Sequence, residues 1–216
     1  ICDIGSSNCE PTDFIDNLFK NTNSKIIGFE PNNEEFKKLK NLPNKKYYNY
    51  AIGDGEIHNL NITAEPGMSS FFTPNYEYLK MFHKFEGWSE IIKKIPVDTK
   101  KLDDVEEKFD FIKIDVQGYE SEIIKFGKTK IKDSLVIQIE TSPISLYKGE
   151  KPFSYICNEL EKLDFNLHMF NKIDSRMFKP MTFKKEMYSG LHHLFQLECV
   201  FIKKLENLNK LDAESL

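Results

Sequence analysis

The chain has almost no arginine and no cysteine pattern. Arg176 stands alone among thirty basic residues, so 29 are Lys. A face built for nucleic acid or phosphate would use guanidinium forks more freely, and a net charge of −4 gives no pull toward polyanions or anionic lipid. Nucleic acid is therefore not an expected partner. The four cysteines, Cys2, Cys9, Cys157 and Cys199, contain no CxxC pair and no zinc spacing. Cys2 and Cys199 lie inside apolar runs, where a thiol behaves as a small hydrophobe. They read as structural thiols, and a reducing, cytoplasmic setting is expected. No apolar run approaches the roughly 20 residues of a membrane span. The first residue is an Ile within an apolar run rather than Met. The chain therefore reads as cut from something longer, with further domains beyond its ends.

What is present is rhythm. With 216 residues the chain can bury one α/β core, while two would be cramped. Short runs rich in Ile, Val, Phe and Tyr alternate with amphipathic segments, which predicts βαβ units and a largely parallel sheet. Strands are expected at 1–4, 25–30, 47–52, 109–115, 134–140, 165–170 and 196–203, and helices at 11–21, 33–41, 118–127 and 152–163. Residues 55–63 alternate and add a strand or hairpin. Two aromatic-rich, Pro- and Gly-punctuated stretches, 64–98 and 172–192, read as long loops covering the ends of the sheet. Residues 1–203 form the expected domain, and 204–216 read as a charged helical tail leading out of it.

In open α/β sheets ligands bind beyond the carboxyl ends of the strands. The first strand ends in "DIGSSN": a carboxylate (Asp3), a glycine that lets a ligand approach (Gly5), and small polar residues. The second, "KIIGFEP", ends in Glu30 and Pro31, and Glu30 lies 25 positions after Gly5, close to the spacing of a nucleoside site. A dinucleotide loop would be GxGxxG, with its later glycines making room for a pyrophosphate on a helix N-terminus. Those glycines are missing, which argues against NAD. A donor without phosphate, S-adenosylmethionine, suits the residues better: its ammonium would meet Asp3 and its ribose Glu30. The third strand runs into "NYAIGDGE", where Ala51 and Ile52 could lie flat against an adenine and Asp54 makes a turn. The fourth, "FDFIKIDVQGYESEII", carries Lys113 and Asp115 in an otherwise apolar run. Period-two alternation puts both on one face, and charges there need partners or a task. Glu140, which ends "LVIQIE", is a candidate partner for Lys113.

Together these pieces resemble the FkbM family of S-adenosylmethionine-dependent methyltransferases. The matching stretches are "DIGSSN", "GFEPN", "AIGD", "GMSSF", "VDTKKLDDV" and "DFIKIDVQGYESEII", with "IQIE" and "LECVFIK" extending the likeness to about residue 203. The resemblance implies a class I Rossmann-like fold, with a mostly parallel seven-stranded sheet, strand 7 antiparallel, and helices on both faces. It implies methyl transfer to a hydroxyl of a sugar, glycan or natural product. It assigns Asp3, Gly5, Ser6 and Asn8 to the methionine end of the donor, Glu30 with Pro31 to the ribose, and Ala51 with Ile52 to the adenine. Asp115 falls beside the transferred methyl, and Ser69, Ser70, Gln117 and Glu140 fall on the acceptor side. The family usually has Glu where this chain has Gln117, and a Gln cannot act as a base.

A hydroxyl is a poor nucleophile until a base takes its proton. Asp115 is the expected base, with Lys113 orienting it or the acceptor. A divalent metal on Asp115, Asp103 or Asp104 is the alternative, although no metal site is assigned. His58, His83, His168, His192 and His193 are not expected to carry the chemistry. The loop aromatics Phe71, Phe72, Tyr76, Tyr78, Phe82 and Trp88 suit stacking on a sugar, with core packing as the other reading. The rival function is a non-catalytic, methyltransferase-like binding module within a larger glycan-modifying protein.

Overall fold

The computed structural model describes residues 1–6, 23–183 and 193–208. Among these, strands β1 (Cys2–Ile4), β2 (Ile26–Phe29), β3 (Lys45–Tyr48), β7 (Phe111–Ile114), β8 (Val136–Thr141), β9 (Phe165–Arg176) and β10 (His193–Lys203) form a seven-stranded sheet in the order β3-β2-β1-β7-β8-β10-β9. Strand β10 runs antiparallel to both neighbours, and every other pair within this sheet is parallel. The expected architecture is thus present, down to the reversed last strand. A smaller sheet of order β4-β6-β5 is built from β4 (Ala51–Ile52), β5 (Ile57–Thr63) and β6 (Ile91–Lys100).

The order of the large sheet steps away from β1 in both directions, toward β2 on one side and β7 on the other. Such a switch point opens a crevice at the carboxyl ends of the strands. The core lies along this central track: Cys2, Ile4, Ile112, Ile114, Ile137, Ile139, Cys199 and Phe201 are almost wholly excluded from solvent. Each such aliphatic side chain contributes roughly 1.5–3 kcal/mol by burial. Burial pushes the Cys199 thiol up to about 12 and raises the Cys2 thiol well above its ordinary value, consistent with thiols that only pack.

Helices α1 (Asn33–Phe36), α2 (Tyr76–Leu79) and α3 (Phe85–Trp88) are single turns, while α4 (Glu120–Phe126), α5 (Lys128–Asp133) and α6 (Phe153–Lys162) connect the sheet strands; α7 (Leu205–Leu208) opens the tail. Helix α6 starts after Pro152 and buries Ile156 and Leu160, four residues apart on one face.

Several expected boundaries move. The predicted strand 47–52 is two strands in two sheets, because the chain turns at Asn49–Tyr50 and Ala51–Ile52 pair with Thr99–Lys100. The predicted loop 64–98 ends in β6, a ten-residue strand. Its Pro96 is tolerated because β4 reaches only Thr99 and Lys100, leaving that edge of β6 open at the proline. Strand 165–170 continues to Arg176, helix 33–41 shrinks to one turn, and α5 was not anticipated. The helix expected at 11–21, and Asn8, Cys9 and His192, lie outside the described residues.

Candidate active site

The register of the sheet assembles the polar residues at its switch point. Asp3 on β1 stands opposite Lys113 on β7 and Gly28 on β2. Lys113 and Asp115, two positions apart, share a face as the alternation requires. The Lys113 ammonium lies 3.6 Å from Asp3 Oδ1 and 3.5 Å from Asp115 Oδ2, with all three side chains largely buried. Burial alone would lower the Lys113 pKa, but the carboxylates of Asp3, Asp115 and Glu140 outweigh it and raise it, so the ammonium keeps its charge. The ion pairs of Lys113 are therefore with Asp3 and Asp115, and Glu140, its expected partner, is bound elsewhere.

Glu140 Oε1 accepts from two amides, Gln117 Nε2 at 2.8 Å and Gln196 Nε2 at 2.7 Å. The Gln117 Nε2 amide also donates to Asp115 Oδ1 at 2.9 Å, so one NH2 group bridges the carboxylates that end β7 and approach the end of β8. The other end of that side chain accepts from the Tyr147 hydroxyl at 3.2 Å, and Tyr147 also reaches the Met68 carbonyl at 3.1 Å. Gln117 has φ +52, a left-handed conformation unusual for a side-chain-bearing residue. It is held there from two sides. The Ser70 hydroxyl donates to its carbonyl at 2.7 Å. The buried Glu120 carboxylate accepts from the Val116 and Gly118 amides at 3.3 and 3.0 Å. Gly118 follows at φ +98, where an added Cβ would fall 2.9 Å from the Tyr147 ring. Burial, then the neighbouring Glu150, pushes the Glu120 carboxyl up to about 8.

Gly5 lines the cavity and meets a packing demand as well: with φ +87, a Cβ there would lie 1.8 Å from the Asp115 carbonyl oxygen. The ends of β1 and β7 converge on that point. Ser6 donates its hydroxyl to the Asp3 carbonyl at 2.7 Å, closing the turn. Asp3 itself is buried, and its Oδ1 has no hydrogen-bond partner among the described residues.

Next to these groups is a cavity of about 250 Å³. Of the expected site residues, Gly5, Glu30, Pro31, Ala51, Ile52, Ser69, Ser70, Asp115, Gln117 and Glu140 line it, while Asp3, Ser6 and Lys113 lie outside the lining. Glu30, 5 % exposed at the end of β2, accepts the Asn32 amide at 2.7 Å. Burial is the main reason its carboxyl rises to about 7; the Asn32 amide opposes the rise, and Glu35, Asp3 and Asp115 add to it. Ala51 and Ile52 present an apolar wall from β4, with Phe29, Leu60 and Phe71 beside them.

Other expectations resolve into structural roles. Asp54 accepts from the Glu56 amide at 2.9 Å and pairs with His58 at 2.8 Å, making the turn between β4 and β5. Asp103 accepts from the Thr129 and Lys130 amides at the start of α5, and neither it nor Asp104 lines the cavity. Among the described residues no group of His, Cys, Asp or Glu is arranged to hold a metal ion. Of the loop aromatics, Phe71 and Trp88 line the cavity, whereas Phe82 is wholly buried with Leu79, Phe85, Leu146 and Phe195. Sequence reasoning missed Tyr147, Gln196 and Glu120. Gln196 was findable, as a polar residue between Phe195 and Leu197 in an apolar strand, by the criterion that singled out Lys113.

Residues 3–167 match the Methyltransferase FkbM domain. No curated protein gives a significant sequence match. In three dimensions the chain is similar to the FkbM methyltransferase of Methylobacillus flagellatus, at 14% identity and a TM-score of 0.51, covering 93% of this chain and 42% of that one. It is also similar to the magnesium protoporphyrin IX methyltransferase of Synechocystis solved with bound S-adenosylmethionine, at 9% identity and a TM-score of 0.47, covering 94% of this chain and 69% of that one. At 14% identity the first of these likenesses speaks for the fold alone. The domain match spans most of the sequence, and on it the chain belongs to the FkbM family of S-adenosylmethionine-dependent methyltransferases.

Proposed function

We propose that this chain transfers the methyl group of S-adenosylmethionine to a hydroxyl oxygen of a sugar, glycan or natural product, with Asp115 as the base. The observation that carries the reading is Asp115 itself. It lines the same cavity as Glu30 at the switch point of the sheet, and its two carboxylate oxygens are fixed by Lys113 and the Gln117 amide.

The residues present fit the donor. Asp3 Oδ1, buried and without a hydrogen-bond partner among the described residues, suits an ammonium. Glu30 is an acceptor for ribose hydroxyls, Pro31 flanks it, and Ala51 with Ile52 offers a flat apolar surface to an adenine. Gly5 and Ser6 shape the turn beneath the amino-acid end, with Asn8 assigned to the same end. When bound, the donor supplies an electrophilic methyl on a sulfonium. Ser69, Ser70, Gln117 and Glu140 line the acceptor side and orient the hydroxyl. Holding the two reactants in line removes much of the bimolecular entropy cost. The hydroxyl proton passes to the Asp115 carboxylate as the oxygen–carbon bond forms and the carbon–sulfur pair stays on sulfur, with no metal required by the balance.

Calorimetric titration with S-adenosylmethionine, S-adenosylhomocysteine and NAD tests the donor assignment. Both sulfur compounds should bind and NAD should not. Glu30→Ala should weaken donor binding by about 1–3 kcal/mol through loss of hydrogen bonds to a charged group. Equal affinity in that variant would remove Glu30 from the site.

A further inference from the structure

The cavity has two apolar walls that belong to different parts of the core. Phe29 and Ile52 come from the core of the large sheet, and Ala51 and Leu60 from the packing of the small one. In the function proposed above, this is the wall beside the adenine. The second wall is a separate packed cluster of Met68, Phe85, Leu146, Tyr147 and Phe195, with Trp88 against it. Its rings form a run. Trp88 meets Phe85 edge-on with centres 5.3 Å apart, and Phe85 meets Phe195 at 4.5 Å. Trp88 is half-buried and Phe195 almost wholly buried, so the run leads from solvent inward. It ends at the polar groups of the site, because Phe195 precedes Gln196 and the Tyr147 hydroxyl lies 3.2 Å from Gln117 Oε1.

At that end of the cavity the hydrogen-bond donors are turned toward the protein. Gln117 spends its amide hydrogens on Asp115 and Glu140. The single Ser70 hydrogen goes to the Gln117 carbonyl, and the Ser70 oxygen accepts the Phe72 amide at 3.0 Å. The single Tyr147 hydrogen serves the Met68 carbonyl or Gln117, Gln196 gives an N–H to Glu140, and the Ser69 oxygen accepts the Thr63 amide at 3.3 Å. The described lining holds no Lys, Arg or His to supply more. Such a network has a task for one hydroxyl, at Asp115. A free sugar brings several more, and each one buried without a partner costs roughly tenfold or more in affinity. Rings and methylenes meet no such cost on the second wall, where aromatic pairing adds to the gain from burial.

Resting on the function proposed above, we infer that the acceptor carries its hydroxyl on an apolar, ring-bearing body that packs against Trp88, Phe85 and Phe195, and that free sugars are poor acceptors. Of the classes proposed, this selects natural products of low polarity.

Two measurements test this. The first is methyl transfer to ethanol, butanol and phenylbutanol, one hydroxyl on a growing apolar body, beside glycerol and glucose. The kcat/KM should climb about tenfold or more from ethanol to phenylbutanol, with glycerol and glucose lowest. Trp88→Ala should raise KM for phenylbutanol about fivefold or more while S-adenosylhomocysteine still binds, which shows the fold intact. The second measurement needs no turnover. Trp88 is the chain's single tryptophan and lines the cavity. In protein saturated with S-adenosylhomocysteine, phenylbutanol should shift its emission to the blue along a saturable curve, while glucose at the same concentrations leaves it in place. Glucose that equals phenylbutanol in either measurement, a phenylbutanol titration without a saturable shift, or a KM unmoved in Trp88→Ala overturns the inference. The fluorescence result decides where nothing in the series turns over or where the variant loses its fold. Failure of S-adenosylhomocysteine to bind the parent protein in calorimetry instead marks a failure of the proposed function.

Discussion

Asp115→Asn separates a catalytic carboxylate from a structural one. The substitution keeps the shape and removes the charge. Asn Oδ1 can still accept from Gln117 Nε2, but its NH2 then faces the Lys113 ammonium where Asp115 Oδ2 stood at 3.5 Å. Lys113 is not left alone, because Asp3 Oδ1 remains 3.6 Å away. The stability cost should therefore be that of one charged hydrogen bond, about 1.5–3 kcal/mol, rather than the ~3–5 kcal/mol of a fully orphaned buried charge. For a domain of this size that lowers the melting temperature by about 3–12 °C. If Asp115 is the base, turnover should fall by ~10²–10⁴ while donor affinity and fold persist. Urea unfolding, donor calorimetry and methyl-transfer rate measured on one preparation give all three quantities. A folded variant with near-normal turnover refutes the catalytic role. A stability loss well above ~4 kcal/mol would refute the claim that Asp3 shares the ammonium.

Two further outcomes follow from the buried acids. Glu30 has its carboxyl raised to about 7 in the free protein, and ribose hydroxyls donate best to its ionised form, so donor affinity should strengthen as pH rises through 7. Calorimetry across that range should show the dependence flattened in Glu30→Gln, and an equal slope in both proteins would contradict the assignment. Glu120, raised from 4.5 to about 8, holds a proton in the folded state that the unfolded chain has already released, so its contribution to stability is full below pH 4.5 and is lost as pH rises toward 8. Glu120→Gln keeps an acceptor for the Val116 and Gly118 amides but cannot titrate. Its melting temperature should fall less steeply over that window than the parent's, and parallel curves would show that Glu120 does not govern it.

The central sheet was legible because its strands are short apolar runs that end in one conspicuous polar residue. Asp3, Glu30, Asp115 and Glu140 all stand out against Ile, Val and Phe, and the fold does bring them to one end of the sheet. Strand β6 was hidden because it is half exposed and carries Lys93, Lys94 and Pro96, residues that read as loop. The break between β3 and β4 was hidden because two strands in different sheets are separated by only two residues. At the site, what escaped the sequence was long-range geometry. Tyr147 meets Gln117 and Met68 across 30 and 79 positions, and nothing local marks it. The bridging of Asp115 and Glu140 by one amide depends on the left-handed backbone at Gln117, which no motif announces. At Gly5 the sequence suggested room for a ligand, and what it did not reveal is a packing demand as well, the Asp115 carbonyl lying where a Cβ would be.

The central claim is methyl transfer, and the most direct measurement is transfer of isotopically labelled methyl from S-adenosylmethionine to a panel of sugars, glycans and alcohols balanced for charge, with each product located by mass spectrometry. The account predicts a methyl ether on a hydroxyl oxygen, formed in equal amount with S-adenosylhomocysteine and lost on Asp115→Asn. A donor that binds yet is never turned over across the panel, or label that appears on nitrogen or carbon, would contradict it.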